Sequence, residues 1–189
     1  MAEEILIING TSNGGWPITT GTPHHEEIDE YPTADTGDYI RADDDYVDEP
    51  TYTDTFTIPD CSSLQEGDTV TNLAVWLHAY ATGDTEKWIE IYITNTTGTV
   101  SNDHAMPVKG VGTIWLDFTE KPGGGAWDLA SINDITGIEI RPTIAGKDSD
   151  NDVWYIYQLY VKINYTPAPA GGPRGPLGHP LNGPFRGPI

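Results

Sequence analysis

Apolar and polar residues alternate at period two through the middle of the chain, the pattern of strands that bury one face. Between Val70 and Ala81, Leu73, Val75, Leu77 and Ala79 fall on one face and Trp76, His78 and Tyr80 on the other. Between Lys87 and Thr94, Ile89, Ile91 and Ile93 oppose Trp88, Glu90 and Tyr92. Tyr52–Ile58, Thr113–Phe118 and Gly137–Ile144 read as further strands. The longest is Val153–Tyr165, where the alternation places Val153, Tyr155, Tyr157, Leu159, Val161, Ile163 and Tyr165 on one face and Trp154, Ile156, Gln158, Tyr160, Lys162 and Asn164 on the other. Seven or eight such segments, separated by turn-rich loops such as Gly83–Glu86 and Pro122–Gly125, predict an all-β chain folded as a two-layer antiparallel β-sandwich. Only Trp127–Thr136 reads as helical, for one or two turns.

Three zones follow from the same pattern. Residues 1–35 carry one short apolar run, Ile5–Ile8, and then a polar stretch with Gly14, Gly15, Trp16 and Pro17; this predicts an extended N-terminal arm. Residues 36–165 hold nearly all of the alternation and form the sandwich domain, while residues 166–189 are an acid-free, Pro/Gly-rich tail. Composition supports the fold class. The 21 Gly, 15 Pro, 10 Tyr and 6 Trp favour turns and strands over helices.

Charge narrows the partners. With 29 acidic residues against 9 Lys and Arg, the formal charge of −20 disfavours binding to nucleic acid and to anionic membrane surfaces. Cys61 is the only cysteine, so no intrachain disulfide and no thiolate metal cage can form. No apolar run approaches the roughly 20 residues of a membrane helix. The opening MAEEILIING has acids where a secretion signal carries lysines, so synthesis in a cytoplasm is expected.

The order of segments resembles the jelly-roll-like β-sandwich structural proteins of tailed bacteriophages, among them head decoration and auxiliary proteins. The residues that carry the resemblance are Gly37–Ile40, Thr55–Pro59, Leu73–Tyr80, Gly125–Leu129 with Ile132–Asn133, Gly137–Ile140 and the closing Tyr157–Tyr165. It spans residues 36–165 and implies a virion component made in a host cytoplasm.

Motifs for catalysis are missing: the sequence has no Gly-x-Ser-x-Gly, phosphate loop, Cys-x-x-Cys or His-Glu-x-x-His. Gly123–Gly125 has no Lys-Ser/Thr and reads as a loop. His24 and His25 are adjacent, which points two imidazoles apart and argues against a shared metal. Asp148, Asp150 and Asp152 have the alternating spacing of a calcium loop, but Val153 and Leu159 stand where an EF-hand needs Gly and Glu. A solvated turn explains the same letters, and so it does for Asp43–Asp45. Twelve carboxylates lie between Glu26 and Asp54 and are expected to hydrate a surface rather than perform glycoside hydrolysis. The Asn-x-Ser/Thr sites at Asn9, Asn95 and Asn164 are expected by chance in a Thr-rich chain.

Two features point to binding. Trp76, Tyr80, Trp88, Tyr92, Trp154 and Tyr160 all fall opposite the aliphatic face, either as an interface covered by the arm or a neighbouring subunit, or as a platform for sugar rings with Trp88, Tyr92, Trp154 and Tyr160 as the glycan-binding set. The interface is favoured. Residues 174–189 divide into four tetrads that each end in Pro plus a large apolar residue, so in an extended strand Leu177, Leu181, Phe185 and Ile189 share one face. These four, with Arg174 and Arg186, are the candidate partner-binding residues. Together the features predict a non-enzymatic virion protein, most simply a homotrimer, that attaches through its tail to the major capsid protein or another virion protein. A carbohydrate-binding module or adhesive fibre subunit is the alternative. No cofactor is expected, apart from the calcium alternative above.

Overall fold

The computed structural model describes residues 1–16, 23–43, 53–82, 87–106, 110–144 and 153–169. Ten strands run in chain order: β1 (Ala2–Ile7), β2 (Gly10–Gly14), β3 (Ile40–Asp43), β4 (Asp54–Thr57), β5 (Thr69–Ala81), β6 (Lys87–Asn95), β7 (Gly98–Met106), β8 (Gly110–Phe118), β9 (Ile135–Ile144) and β10 (Val153–Thr166). A 3-10 turn spans His24–Glu27, and one short helix, α1, spans Leu129–Asn133. Asp128 caps α1, accepting from Ser131 N while Ser131 Oγ accepts from Asp128 N.

The strands form two five-stranded sheets in which every pair is antiparallel. The front sheet runs β1-β10-β5-β8, with β3 also paired to β10, and the back sheet runs β2-β4-β9-β6-β7. From β3 to β10 the chain changes sheet at every connection except the β6–β7 hairpin. That alternation makes layers β3-β10-β5-β8 and β4-β9-β6-β7, a jelly roll. The core between them is built from the residues of the alternating pattern: Leu73, Val75, Leu77 and Ala79 from β5, and Ile89, Ile91 and Ile93 from β6, are all fully buried.

Where an arm was expected, the structure has two further strands. β1 lies along β10, and β2 lies along β4. The periodicity hid β1 because the first of the successive buried positions on its inner face is Glu4, only 8% exposed, and only Leu6 and Ile8 continue that face with apolar residues. Its carboxylate is satisfied in place. Oε1 accepts from Ser62 N (2.7 Å), Ser62 Oγ (3.0 Å) and Ser63 N (3.1 Å), and Oε2 from Ser63 N and Leu64 N (3.1 Å each). Burial alone would raise the pKa of Glu4, but these hydrogen bonds outweigh it and hold the carboxyl below its ordinary value. Strand β7 was also invisible to the pattern, because it is an edge strand of exposed polar residues paired only to β6.

β10 departs from the expected alternation. A bulge leaves Tyr157 unpaired between the partners Ile156↔Ala79 and Gln158↔His78, which reverses the parity of the strand. Trp154 and Ile156 therefore point inward before the bulge, and Leu159, Val161 and Ile163 after it. The cross-strand partners of Trp154 and Ile156 are Ala81 and Ala79, whose small side chains leave room for the indole. The free edge of β10 is filled piecewise: β1 covers Tyr160–Tyr165, Ile28 O accepts from Leu159 N (2.9 Å), Glu30 O accepts from the Gln158 amide, and β3 covers Val153–Ile156.

Candidate functional site: an aromatic face and the exit of the chain

Outward positions of the front sheet carry a connected set of rings. Register sets Trp76 of β5 between Tyr160 of β10 and Trp115 of β8. Trp76 stacks on Tyr160 at 5.6 Å and meets Trp115 edge to face at 4.2 Å, and Tyr31 closes the row against Tyr160 at 5.1 Å. A second group lies beside it. Tyr155 and Tyr157, brought together by the bulge, stack at 6.2 Å, and Tyr39 packs against both. Tyr80 and His78 contact Tyr155 and Tyr157 respectively. Each close aromatic pair contributes roughly 0.5–1.5 kcal/mol beyond its burial.

The segment between Ile28 and Ile40 lies along the free edge of β10 and supplies Tyr31 and Tyr39 to this face. The two ends of the row stay open, with Tyr31 44% and Trp115 40% exposed. Burial, followed by the proximity of Tyr31 and Glu3, pushes the Tyr160 phenol up to about 12, and burial among its tyrosine neighbours raises Tyr157. Both stay neutral. Charge enters at the margins: Lys162 Nζ lies 5.5 Å from the Trp115 ring centroid and pairs with Glu3 at 2.6 Å, and Arg41 lies 6.0 Å from the Tyr155 ring.

The glycan-binding set expected from the sequence is not one surface. Trp88 and Tyr92 lie on the outer face of β6 in the back sheet, where Arg141 covers the Tyr92 ring at 4.2 Å and the Tyr92 hydroxyl donates to Glu90 (2.7 Å). Trp154 is wholly buried in the core between the sheets. Tyr160 alone belongs to the front aromatic face. The four residues are separated because the bulge turns Trp154 inward and because β6 and β10 sit in different sheets.

The adjacent imidazoles are separately engaged. His24 Nδ1 meets the buried Asp54 at 2.5 Å, and that carboxylate also accepts from Gly15 N and Trp16 N. His25 Nδ1 instead faces Thr11 Oγ1 at 3.2 Å. No group of three potential metal ligands occurs among the described residues. Asp148, Asp150 and Asp152 lie outside the described residues, as do Asp44 and Asp45, and so do Arg174, Leu177, Leu181, Phe185, Arg186 and Ile189 of the tail. Gly123, Gly124 and Gly125 form a surface loop with φ of 84°, 90° and 84°, a left-handed run that suits glycine.

The chain just past β10 is held by the 65–68 turn that precedes β5. Ala168 N donates to Asp68 Oδ1 (2.9 Å), and a Cβ on Gly67 (φ +95°) would lie 3.7 Å from that of Ala168. Gly67 and Asp68 also line an open groove of about 470 Å³ between the 65–68 turn and α1, with Glu66 and Asp128 among its acids and Leu129 and Ala130 among its apolar groups. The Lys121 ammonium hydrogen-bonded to Asp128, together with Ser131 N, holds that carboxyl below its ordinary value. This groove was not legible in the sequence, since it is formed by two segments about sixty residues apart. Trp115 was legible only as the outward neighbour of Ile114 and Leu116. No protein-family model and no curated protein matches the chain, so its function has to be read from its own surfaces.

Proposed function

We propose that the chain is a non-enzymatic structural protein of a phage particle, a decoration or auxiliary protein of the head. It attaches through residues 170–189 to the major capsid protein or another virion protein and acts in several copies, most simply as a trimer. The observation that carries this reading is mechanical. The tail continues from β10, the longest strand, which is paired along both edges and pinned at Ala168 by Asp68. A load on the tail is therefore delivered to the middle of a sheet rather than to a peelable edge. Twenty residues at roughly 3.1 Å each reach about 60 Å, enough to grip a neighbour well beyond the sandwich, and several tails engaged together multiply a weak individual affinity.

What supports a protein contact over a sugar platform is the way the rings are used. In the Trp76–Tyr160 and Tyr155–Tyr157 pairs the interplanar angles are 19° and 6°, so each ring spends one face on its neighbour. A sugar-stacking platform needs exposed rings, and among the described tryptophans and tyrosines only Tyr31 and Trp115 are exposed. The front face thus serves best as a second, apolar contact area at Trp115 and Tyr31. The test is particle capture: a chain lacking residues 170–189 should keep its β-sheet circular dichroism and fail to bind purified capsids that bind the full chain. Equal capture of the two chains would overturn the proposal, and glycan-array binding that disappears in Trp115→Ala would replace it with the adhesive alternative.

A further inference from the structure

The groove beside α1 and the tail match in charge, chemistry and position. We propose that the groove is the docking site for the first tail tetrad, Arg174-Gly175-Pro176-Leu177, of the same chain. Three observations carry this. First, the tail starts at the groove: Ala168 is bonded to Asp68 and lies against Gly67, and both of these line it. Six peptide units from Ala168 to Arg174 span at most about 22 Å, so the tetrad is held at a local concentration on the order of millimolar. Second, the charges complement. The groove presents Glu66 and Asp68, beside an Asp128 already paired with Lys121, whereas residues 166–189 contain two arginines and no acid. Third, Leu129 and Ala130 add apolar groups to the same lining. An arginine followed three residues later by leucine presents the matching pair, one cation for the rim and one aliphatic group for the floor.

Docking of Arg174 and Leu177 fixes the direction in which the remaining tetrads leave the sandwich. Leu181, Phe185 and Ile189 are then the groups free to engage a partner, over a remaining reach of roughly 37 Å for residues 178–189, while the first tetrad braces the tail. The inference deepens the attachment reading, but it is decided on the isolated chain and so fails or stands separately from particle capture.

Cysteine trapping in the full chain tests it. With Cys61→Ser as background, Ala130→Cys combined with Leu177→Cys should close an intramolecular disulfide under mild oxidation at least about tenfold faster than Ala130→Cys combined with Ile189→Cys. Arg174→Glu should remove most of that advantage. Gln65→Cys with Leu177→Cys samples the opposite wall, should one pair disturb folding. Equal rates at positions 177 and 189, or insensitivity to Arg174→Glu, overturn the proposal. A product of twice the chain mass also overturns it, by assigning the groove to the tail of a second copy.

Discussion

Glu4→Gln is the most informative single perturbation, because it keeps the side chain's shape while removing its charge and turning one acceptor oxygen into a donor. In the native protein both carboxylate oxygens accept from the 62–64 turn, Oε1 from Ser62 N at 2.7 Å and Oε2 from Leu64 N at 3.1 Å. Whichever oxygen becomes the amide nitrogen, one backbone N–H loses its acceptor and faces another donor. A hydrogen bond to a charged group is worth roughly 1.5–3 kcal/mol, and a stranded buried donor costs about 1–3 kcal/mol. Partial relaxation of the turn offsets some of this, so the expected loss is about 2–4 kcal/mol. In a domain of this size that corresponds to a fall in Tm on the order of 5–10 °C by circular dichroism.

The pH dependence has a definite sign. The folded carboxyl titrates below its ordinary value of 4.5, so the folded state favours the ionised form and its contribution is complete above about pH 4.5. That contribution is lost as the pH falls through the lower folded value. The many other acids destabilise wild type and variant alike, so the difference between them isolates Glu4. The Tm gap should be constant from pH 8 to pH 5.5 and narrow progressively as the pH falls below about 4.5. A gap under about 1 °C at pH 7, or one that persists unchanged at pH 3, would refute the account of Glu4 as an ionised anchor between β1 and the turn.

Two further outcomes test the packing. Trp154→Ala should cost about 3–5 kcal/mol, since it empties a core position opposite Ala81 that nothing else can fill, whereas Trp115→Ala should cost less than about 1.5 kcal/mol; urea denaturation that ranks them the other way would contradict the bulge-driven parity. Cys61 is half-buried, and burial followed by the nearby Glu4 charge pushes its thiol up to about 12. Its reaction with a disulfide reagent at pH 8 should therefore be at least about a hundredfold slower in the folded protein than in urea, and comparable rates would show that the 61–64 turn is not held as described.

Much of the architecture was already legible along the chain. Alternation in β5 and β6 assigned their core faces without error, and a short polar-capped segment was enough to locate α1, because both signals depend only on a residue and its near neighbours. The tail tetrads and the acid-free composition of residues 166–189 are likewise properties of sequence alone. What local order could not reveal was anything set by pairing across the sheet. β1 looked like an arm because a core position is filled by Glu4, whose burial makes sense only once the Ser62–Leu64 amides converge on it. Trp154 looked like a surface ring because a one-residue bulge is invisible until β10 is laid against β5.

The candidate surfaces divide the same way. Which residues are aromatic, acidic or apolar, and at what period, is written in the chain and determines an all-β sandwich with a cationic, apolar tail. Which rings meet, and which acids share a groove, depends on how segments far apart in sequence come together: Trp76 meets Trp115, Tyr31 meets Tyr160, and Asp68 and Asp128 line one groove. Those contacts belong to the tertiary structure, because strand register and sheet order, rather than local spacing, decide which faces coincide.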